Sequence, residues 1–205
     1  DRYVEGKWVS FGGAFYDNFY RDTHMVHRDF GDFVRFWAAV DDGCVHPACI
    51  LIAGEDGDGR IHVVQEWYER GHTHGEIADV AERLHEHYNC ESWAPDPSAA
   101  GLREELMRRS LPVVDADNDR YVTSRLLYDA LQPGPDGSPR LTIEPTIRML
   151  PLELESIEPH PTKNEPRKTS TADGSVDPRT GEPIAGGMDH AHDALRYLLS
   201  AIPGM

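Results

Sequence analysis

Apolar residues recur along the chain in short blocks whose spacing predicts strands first and helices later. Phe36-Trp37-Ala38-Ala39-Val40 is an apolar run of strand length that stops at Asp41-Asp42-Gly43. His46 to Ala53 is a second run and Ile61 to Trp67 a third, separated by the turn residues Gly54-Glu55-Asp56-Gly57-Asp58-Gly59. Links this short predict an antiparallel meander. The period then turns helical. Thr73-His74-Gly75-Glu76 has capping-box spacing, and Ile77, Val80, Ala81, Leu84 and Tyr88 follow on one face. Glu91 to Ala94 reads as a short strand ending at Pro95-Asp96-Pro97. A helix is expected from there, with Asp96 as cap and Leu102 and Leu106 four apart. Leu111 to Val114 reads as a fifth strand, Tyr121 to Leu131 as a helix, and Leu141-Thr142-Ile143 as a short apolar stretch after a Pro/Gly loop.

The chain closes on its most regular pattern. Ala191, Ala194, Leu195, Leu198 and Ile202 make an apolar helical stripe, with Asp189 as a good N-cap. His190, Asp193 and Tyr197 share another face, because positions three and four apart are neighbours. Residues 158–187 carry much Pro, Gly, Asp, Thr and Ser without apolar period, which predicts a mobile or functional loop. Residues 1–33 are aromatic-rich but unperiodic, as expected of short strands or an apron packed on a neighbour. A meander followed by alternating helices and strands predicts an α/β fold. Its mixed five-stranded sheet, the three-strand meander plus two further strands, is flanked by helices.

Composition narrows the function. A chain of 205 residues with 39% hydrophobic content suits one domain with a core. No apolar run is long enough to span a bilayer, so no membrane association is expected, and no signal peptide opens the chain. It begins at Asp1 rather than Met, as a piece of a longer protein would. Three cysteines without CxxC spacing argue against a disulfide framework and for a reducing cytoplasm. The formal charge of −16 is unlike a protein that grips phosphate backbone by itself. Two readings follow: nucleic acid is not the partner, or acids gather at a metal site while tight DNA contact is supplied elsewhere. No phosphate-loop motif occurs. The Gly/Asp turn at 54–59 lacks the later acid of a calcium loop. The pairs His72/His74 and His85/His87 lack the cysteine partners and shared helix face of a zinc site.

Three aspartates remain. Asp41 ends the first core strand, Asp96 ends the fourth, and Asp193 lies in the last helix. Each alone reads blandly, as a turn residue, a helix start and a solvated acid respectively. Were the fourth strand to lie beside the first, the strand-end carboxylates would be neighbours and a helix across that face could add the third. Two carboxylates about 4 Å apart repel by roughly 4 kcal/mol at an effective dielectric near 20. Such a cluster needs protons or hard cations such as magnesium, and a pair of these can hydrolyse a phosphodiester. Glu66, late in the third strand, is a further candidate, set against an ordinary surface or edge glutamate. Lys163, Arg167, Lys168 and Arg179 in the long loop are candidate DNA contacts, set against simple solvation.

The segments Ala39-Val40-Asp41-Asp42-Gly43, Ala94-Pro95-Asp96-Pro97 and Asp189-His190-Ala191-His192-Asp193-Ala194-Leu195-Arg196-Tyr197 resemble, in order and context, the C-terminal nuclease domain of large terminase subunits of tailed bacteriophages. Arg2-Tyr3-Val4-Glu5-Gly6-Lys7-Trp8 resembles the stretch joining that family's ATPase motor to its nuclease. The resemblance implies a ribonuclease H-like fold over residues 34–205, preceded by a linker or apron at 1–33. It implies an endonuclease that cuts concatemeric viral DNA during packaging, in the cytoplasm of an infected bacterial host. Asp41, Asp96 and Asp193 would be its metal ligands, for two divalent ions (Mg2+ or Mn2+), with His190 beside them. The implied partners are double-stranded DNA, the ATPase domain of the same chain, the capsid portal and the small terminase subunit. Many relatives carry an aromatic residue after the first aspartate, where this chain has Asp42. Pleat alternation allows only one of Asp41 and Asp42 on the metal face; motif position favours Asp41, with Asp42 as an outer ligand. The alternatives are another ribonuclease H-like nuclease, of resolvase or transposase type, or a non-catalytic docking module of the motor.

Overall fold

The three apolar blocks pair in sequence order because short turns join them. They form β1 (Phe33–Asp41), β2 (Ala48–Asp56) and β3 (Ile61–Glu69), antiparallel throughout, with register irregularities at Phe33/Arg35 and Ile52/Ala53. The computed structural model describes residues 3–4, 7–8, 13–43, 46–160, 163, 165–166 and 189–205. A fourth strand, β4 (Ser92–Pro95), lies parallel to β1, and β5 (Leu141–Ile143) lies parallel to β3. The five-stranded sheet therefore runs β4-β1-β2-β3-β5. The chain has the mixed sheet and flanking helices of a ribonuclease H-like fold. Tyr3–Val4 and Lys7–Trp8 form a separate antiparallel ladder.

The fifth strand differs from expectation. Val113 makes only an isolated parallel bridge to Trp93, and the full strand is Leu141–Ile143 on the opposite edge. Pro112 has no N–H to extend the ladder before this bridge and Pro95 of β4 none to extend it beyond, so pairing is confined to Trp93 N–H to Pro112 O and Val114 N–H to Trp93 O, each 2.9 Å.

Helices cover both faces. On one side α1 (His74–Tyr88) and α2 (Ala100–Arg108) pack Ile77, Ala81, Leu102 and Leu106 against Phe36, Ala38, Val40, Ile50 and Ile52. On the other, α3 (Arg120–Ala130), α4 (Met149–Ser156) and α5 (His190–Ala201) pack Leu127, Leu150, Leu154 and Leu195 on Trp37, Ala39, Leu51 and Ala53. Even and odd positions of β1 thus serve different cores. Phe15, Tyr16 and Phe19 belong to the second core, and Phe15 N–H donates to Ile157 O. No helix among the described residues is long and apolar enough to cross a membrane.

Local signals set the helix ends unevenly. Thr73 and Glu76 form the expected capping box, and Asn89 ends α1 in the left-handed region at φ 49°. Asp96 does not cap a helix: α2 starts at Ala100, and Asp96 Oδ1 instead accepts from Ser98 N–H and Oγ–H, both at 2.8 Å. Helix α4 is absent from the pattern-based expectation; its eight residues include Pro151 in the first turn, where proline is tolerated.

Candidate active site

The site forms at the C-terminal ends of β1 and β4, under α5. Val40 pairs with Pro95, and Asp96 N–H donates to Val40 O at 2.8 Å. That register sets Asp41 beside Asp96 on adjacent strands, whose backbones lie about 4.8 Å apart. Asp41, an odd position of β1, points to the α5 side. Asp42 points the other way, where its Oδ2 lies 3.0 Å from His74 Nε2 at the start of α1. Gly43 lets the chain turn here: a Cβ on it would lie 2.1 Å from the Pro47 carbonyl oxygen.

Helix α5 brings the remaining groups. Its residues Ala191, His192, Ala194, Leu195, Arg196, Tyr197, Leu198 and Leu199 are all buried, so it is enclosed on nearly every side. His190 Nδ1 lies 2.8 Å from Asp41 Oδ2, a hydrogen bond that spans 149 positions of sequence. Asp193 stands one turn on. Its Oδ1 accepts from Arg196 Nε and Nη2 at 3.1 and 2.9 Å, and its Oδ2 lies 3.4 Å from Arg120 Nη1. Asp189 does not cap α5 with its side chain; its Oδ2 lies 3.3 Å from Arg120 Nη2. Capping falls to Glu153 of α4, whose Oε2 accepts the His192 N–H at 2.8 Å while Oε1 accepts the Tyr68 hydroxyl at 3.0 Å.

Electrostatics ties these groups into one patch. Asp41 is 5% exposed, and burial, followed by the charges of Asp193, Asp96 and Asp189, holds its carboxyl well above the usual range. Burial also opposes ionisation at Asp193. There the adjacent His192 and the charges of Arg196 and Arg120 outweigh it, and the carboxyl sits well below the usual range. His192 is fully buried, which pushes its imidazole down to about 4, and its Nε2 lies 2.6 Å from the Tyr16 hydroxyl. Its Nδ1 comes within 3.0 Å of Asp193 Oδ1 without the alignment of a hydrogen bond. Tyr197 is raised by burial and then by Asp193, Asp96 and Asp41 together. Four aspartates (Asp41, Asp96, Asp189, Asp193) thus share the patch with two guanidinium groups, and negative charge is in excess.

The donor chemistry suits a hard divalent cation, since carboxylate oxygens predominate and a histidine stands beside them. As the side chains stand, no three His, Cys, Asp or Glu groups among the described residues are arranged to hold an ion. The reason is visible: Asp193 faces arginine with both oxygens, and Asp41 is bonded to His190.

Of the sequence candidates, Asp41, Asp96, Asp193 and His190 converge, while Asp42 and Glu66 turn elsewhere. Glu66 Oε1 accepts the N–H groups of Arg148 and Met149 at 3.2 and 2.9 Å, and Oε2 accepts that of Leu150 at 2.8 Å, so it caps α4. Lys163 is exposed and 3.3 Å from Glu165; Arg167, Lys168 and Arg179 lie outside the described residues, as does most of 158–187. Sequence reasoning missed Glu153, Tyr68, Arg120 and Arg196. The signal for Glu153 was a lone acid in the apolar run Leu150-Pro151-Leu152-Glu153-Leu154.

No family model and no curated protein matches the chain. Solved structures do. The large terminase of a thermophilic bacteriophage superposes with a TM-score of 0.75 at 21% identity, over 98% of this chain and 48% of that one. This chain therefore spans about half the length of that protein. The nuclease domain of the P22 large terminase gives 0.65 at 14% identity, covering 90% of each chain. The nuclease domain of the bacteriophage SPP1 large terminase, solved with bound Mn, gives 0.56 at 17%, over 85% of this chain and 90% of that one. The chain has the fold of large-terminase nuclease domains.

Proposed function

We propose that this chain, having that fold, is the nuclease part of a phage large terminase. It is a divalent-metal-dependent endonuclease that cuts concatemeric viral DNA during packaging in the infected host's cytoplasm. In this reading residues 1–33 lead in from an ATPase motor, residues 34–205 form the nuclease, and the capsid portal and small terminase subunit are its partners. The observation that supports the reading is the register that sets Asp41 beside Asp96, with His190 of α5, one turn from Asp193, hydrogen-bonded to Asp41. The Mn in the SPP1 relative supports the cation.

Asp41, Asp96 and Asp193 would hold two divalent ions, Mg2+ or Mn2+. When bound, these supply a water acidic enough to attack at neutral pH and stabilise the leaving oxygen of the phosphodiester. The chain's own residues orient that chemistry. The Asp41–His190 hydrogen bond fixes both side chains and leaves His190 Nε2 as the group that can take or give a proton at the attacking water. Glu153 fixes the first turn of α5, hence the height of His190 and Asp193 over the strand ends. A net charge of −16 predicts weak DNA binding by this domain alone, with the motor supplying the grip.

The test is nicking of supercoiled plasmid in Mn2+, with calorimetric titration of the ion. Wild type is expected to nick and to bind Mn2+; Asp193→Asn abolishes nicking and Asp41→Ala abolishes binding. A wild-type protein that neither binds Mn2+ nor nicks refutes the nuclease reading and leaves a docking module.

A further inference from the structure

Arg120 is placed against its local energetics. It is the first residue of α3, where the helix dipole disfavours a cation, and its neighbour Asp119 caps that helix by accepting the Val122 N–H at 3.0 Å. The guanidinium reaches across to α5 and divides itself between Asp189 Oδ2 at 3.3 Å and Asp193 Oδ2 at 3.4 Å. Both contacts are longer than the roughly 2.7–2.9 Å typical of a strong charge-assisted bond. Its Nε–H is buried with no hydrogen-bond partner. Arg196 offers the contrast: it is 1% exposed and holds Asp193 at 2.9 and 3.1 Å as well as Thr123 Oγ1. One arginine is locked; the other is loosely held, has an unused donor and keeps 16% of its side chain exposed.

A cation so placed has two consequences. It neutralises the carboxylate oxygens that a divalent ion would take, so the two compete. A divalent ion beside it would also repel it, unless an anion with several acceptor oxygens came within reach, and a phosphodiester has that chemistry. We propose that Arg120 is an exchangeable cation of the site: it holds Asp189 and Asp193 in competition with divalent ions, and it contacts the non-bridging phosphate oxygens of the nucleic-acid strand bound there. This inference rests on the nuclease reading above and assigns Arg120 a role in that same site.

The experiment compares wild type, Arg120→Ala, Arg120→Gln and Arg120→Lys in the full chain, by Mn2+ titration without DNA and by plasmid nicking at saturating Mn2+. Thermal unfolding identifies the variants that fold. The expected result for Ala and Gln is about tenfold tighter Mn2+ binding with kcat for nicking reduced about tenfold or more; Lys restores part of the rate. Opposite movement of ion affinity and rate is what a merely structural bridge between α3 and α5 would not give. Unchanged affinity and rate in a folded Ala or Gln variant overturn the proposal, as does weakening of both together. If wild type binds and nicks while the variants match it, only the role of Arg120 falls. If wild type does neither, both readings fall.

Discussion

Glu153 Oε2 accepts the His192 backbone N–H at 2.8 Å, and that bond joins α4 to the first turn of the helix carrying His190 and Asp193. Burial pushes the Glu153 carboxyl up to about 8, even though the His192 N–H, the Tyr68 hydroxyl and the His190 charge all favour its ionised form. In the unfolded chain the group ionises near its ordinary value of about 4.3, so between these values the folded state holds a proton that unfolding releases. Its contribution to stability therefore falls as pH rises. His192, pushed down to about 4, works in the opposite sense, but only below its unfolded value near 6.5.

Between about pH 6.5 and 8 the Glu153 effect is thus unopposed by His192. Urea unfolding in EDTA is expected to show a loss of about 1–2 kcal/mol across that window, since one proton contributes at most about 1.4 kcal/mol per pH unit. Glu153→Gln should flatten this slope. Equal slopes in the two proteins would refute the assignment.

Neighbouring aspartates should behave oppositely. Asp41→Ala removes a carboxylate facing His190 and Asp193, and nicking is expected to fall about 100-fold or more. Asp42→Ala loses a partly exposed contact to His74, worth no more than about 1 kcal/mol, with Mn2+ affinity and nicking little changed. Side-by-side titration and nicking of the two variants decide the matter.

Glu66 is expected to matter for stability and not for cutting. Its carboxylate satisfies three N–H groups at the start of α4, so Glu66→Ala should cost about 1–2 kcal/mol in urea unfolding. At a temperature where the variant stays folded, Mn2+ affinity should match wild type. A loss of affinity would make Glu66 part of the metal site.

Gly43 follows Asp41 by two positions and lies against the Pro47 carbonyl, a backbone group that cannot swing away. Gly43→Ala must open the turn between β1 and β2 and is expected to destabilise by about 1–3 kcal/mol. Mn2+ binding should weaken as well, because the end of β1 shifts with the turn. Wild-type unfolding and binding in this variant would count against the close approach.

Local patterns were enough to read the meander and the closing helix. Their signals lie within a few residues of each element: strand-length apolar runs, turn residues, and an apolar stripe from Ala191 to Ile202. The opposite facing of Asp41 and Asp42 was legible too, because alternation is a property of the strand backbone alone. Packing chose which strand became the fifth: Pro112 and Pro95 limited the ladder beside β4, and Leu141–Ile143 found the free edge of β3. Packing also made Glu153 the cap of α5 and Glu66 the cap of α4, and turned Arg120 toward Asp193. Those Glu66, Glu153 and Arg120 contacts span 39 to 84 positions of chain, whereas Arg196 and Asp193 stand three apart on one helix, a spacing present in the sequence. A buried charge finds its partner only once packing has removed water from both, and where the two lie far apart in the chain no local pattern of residues encodes which partner that will be.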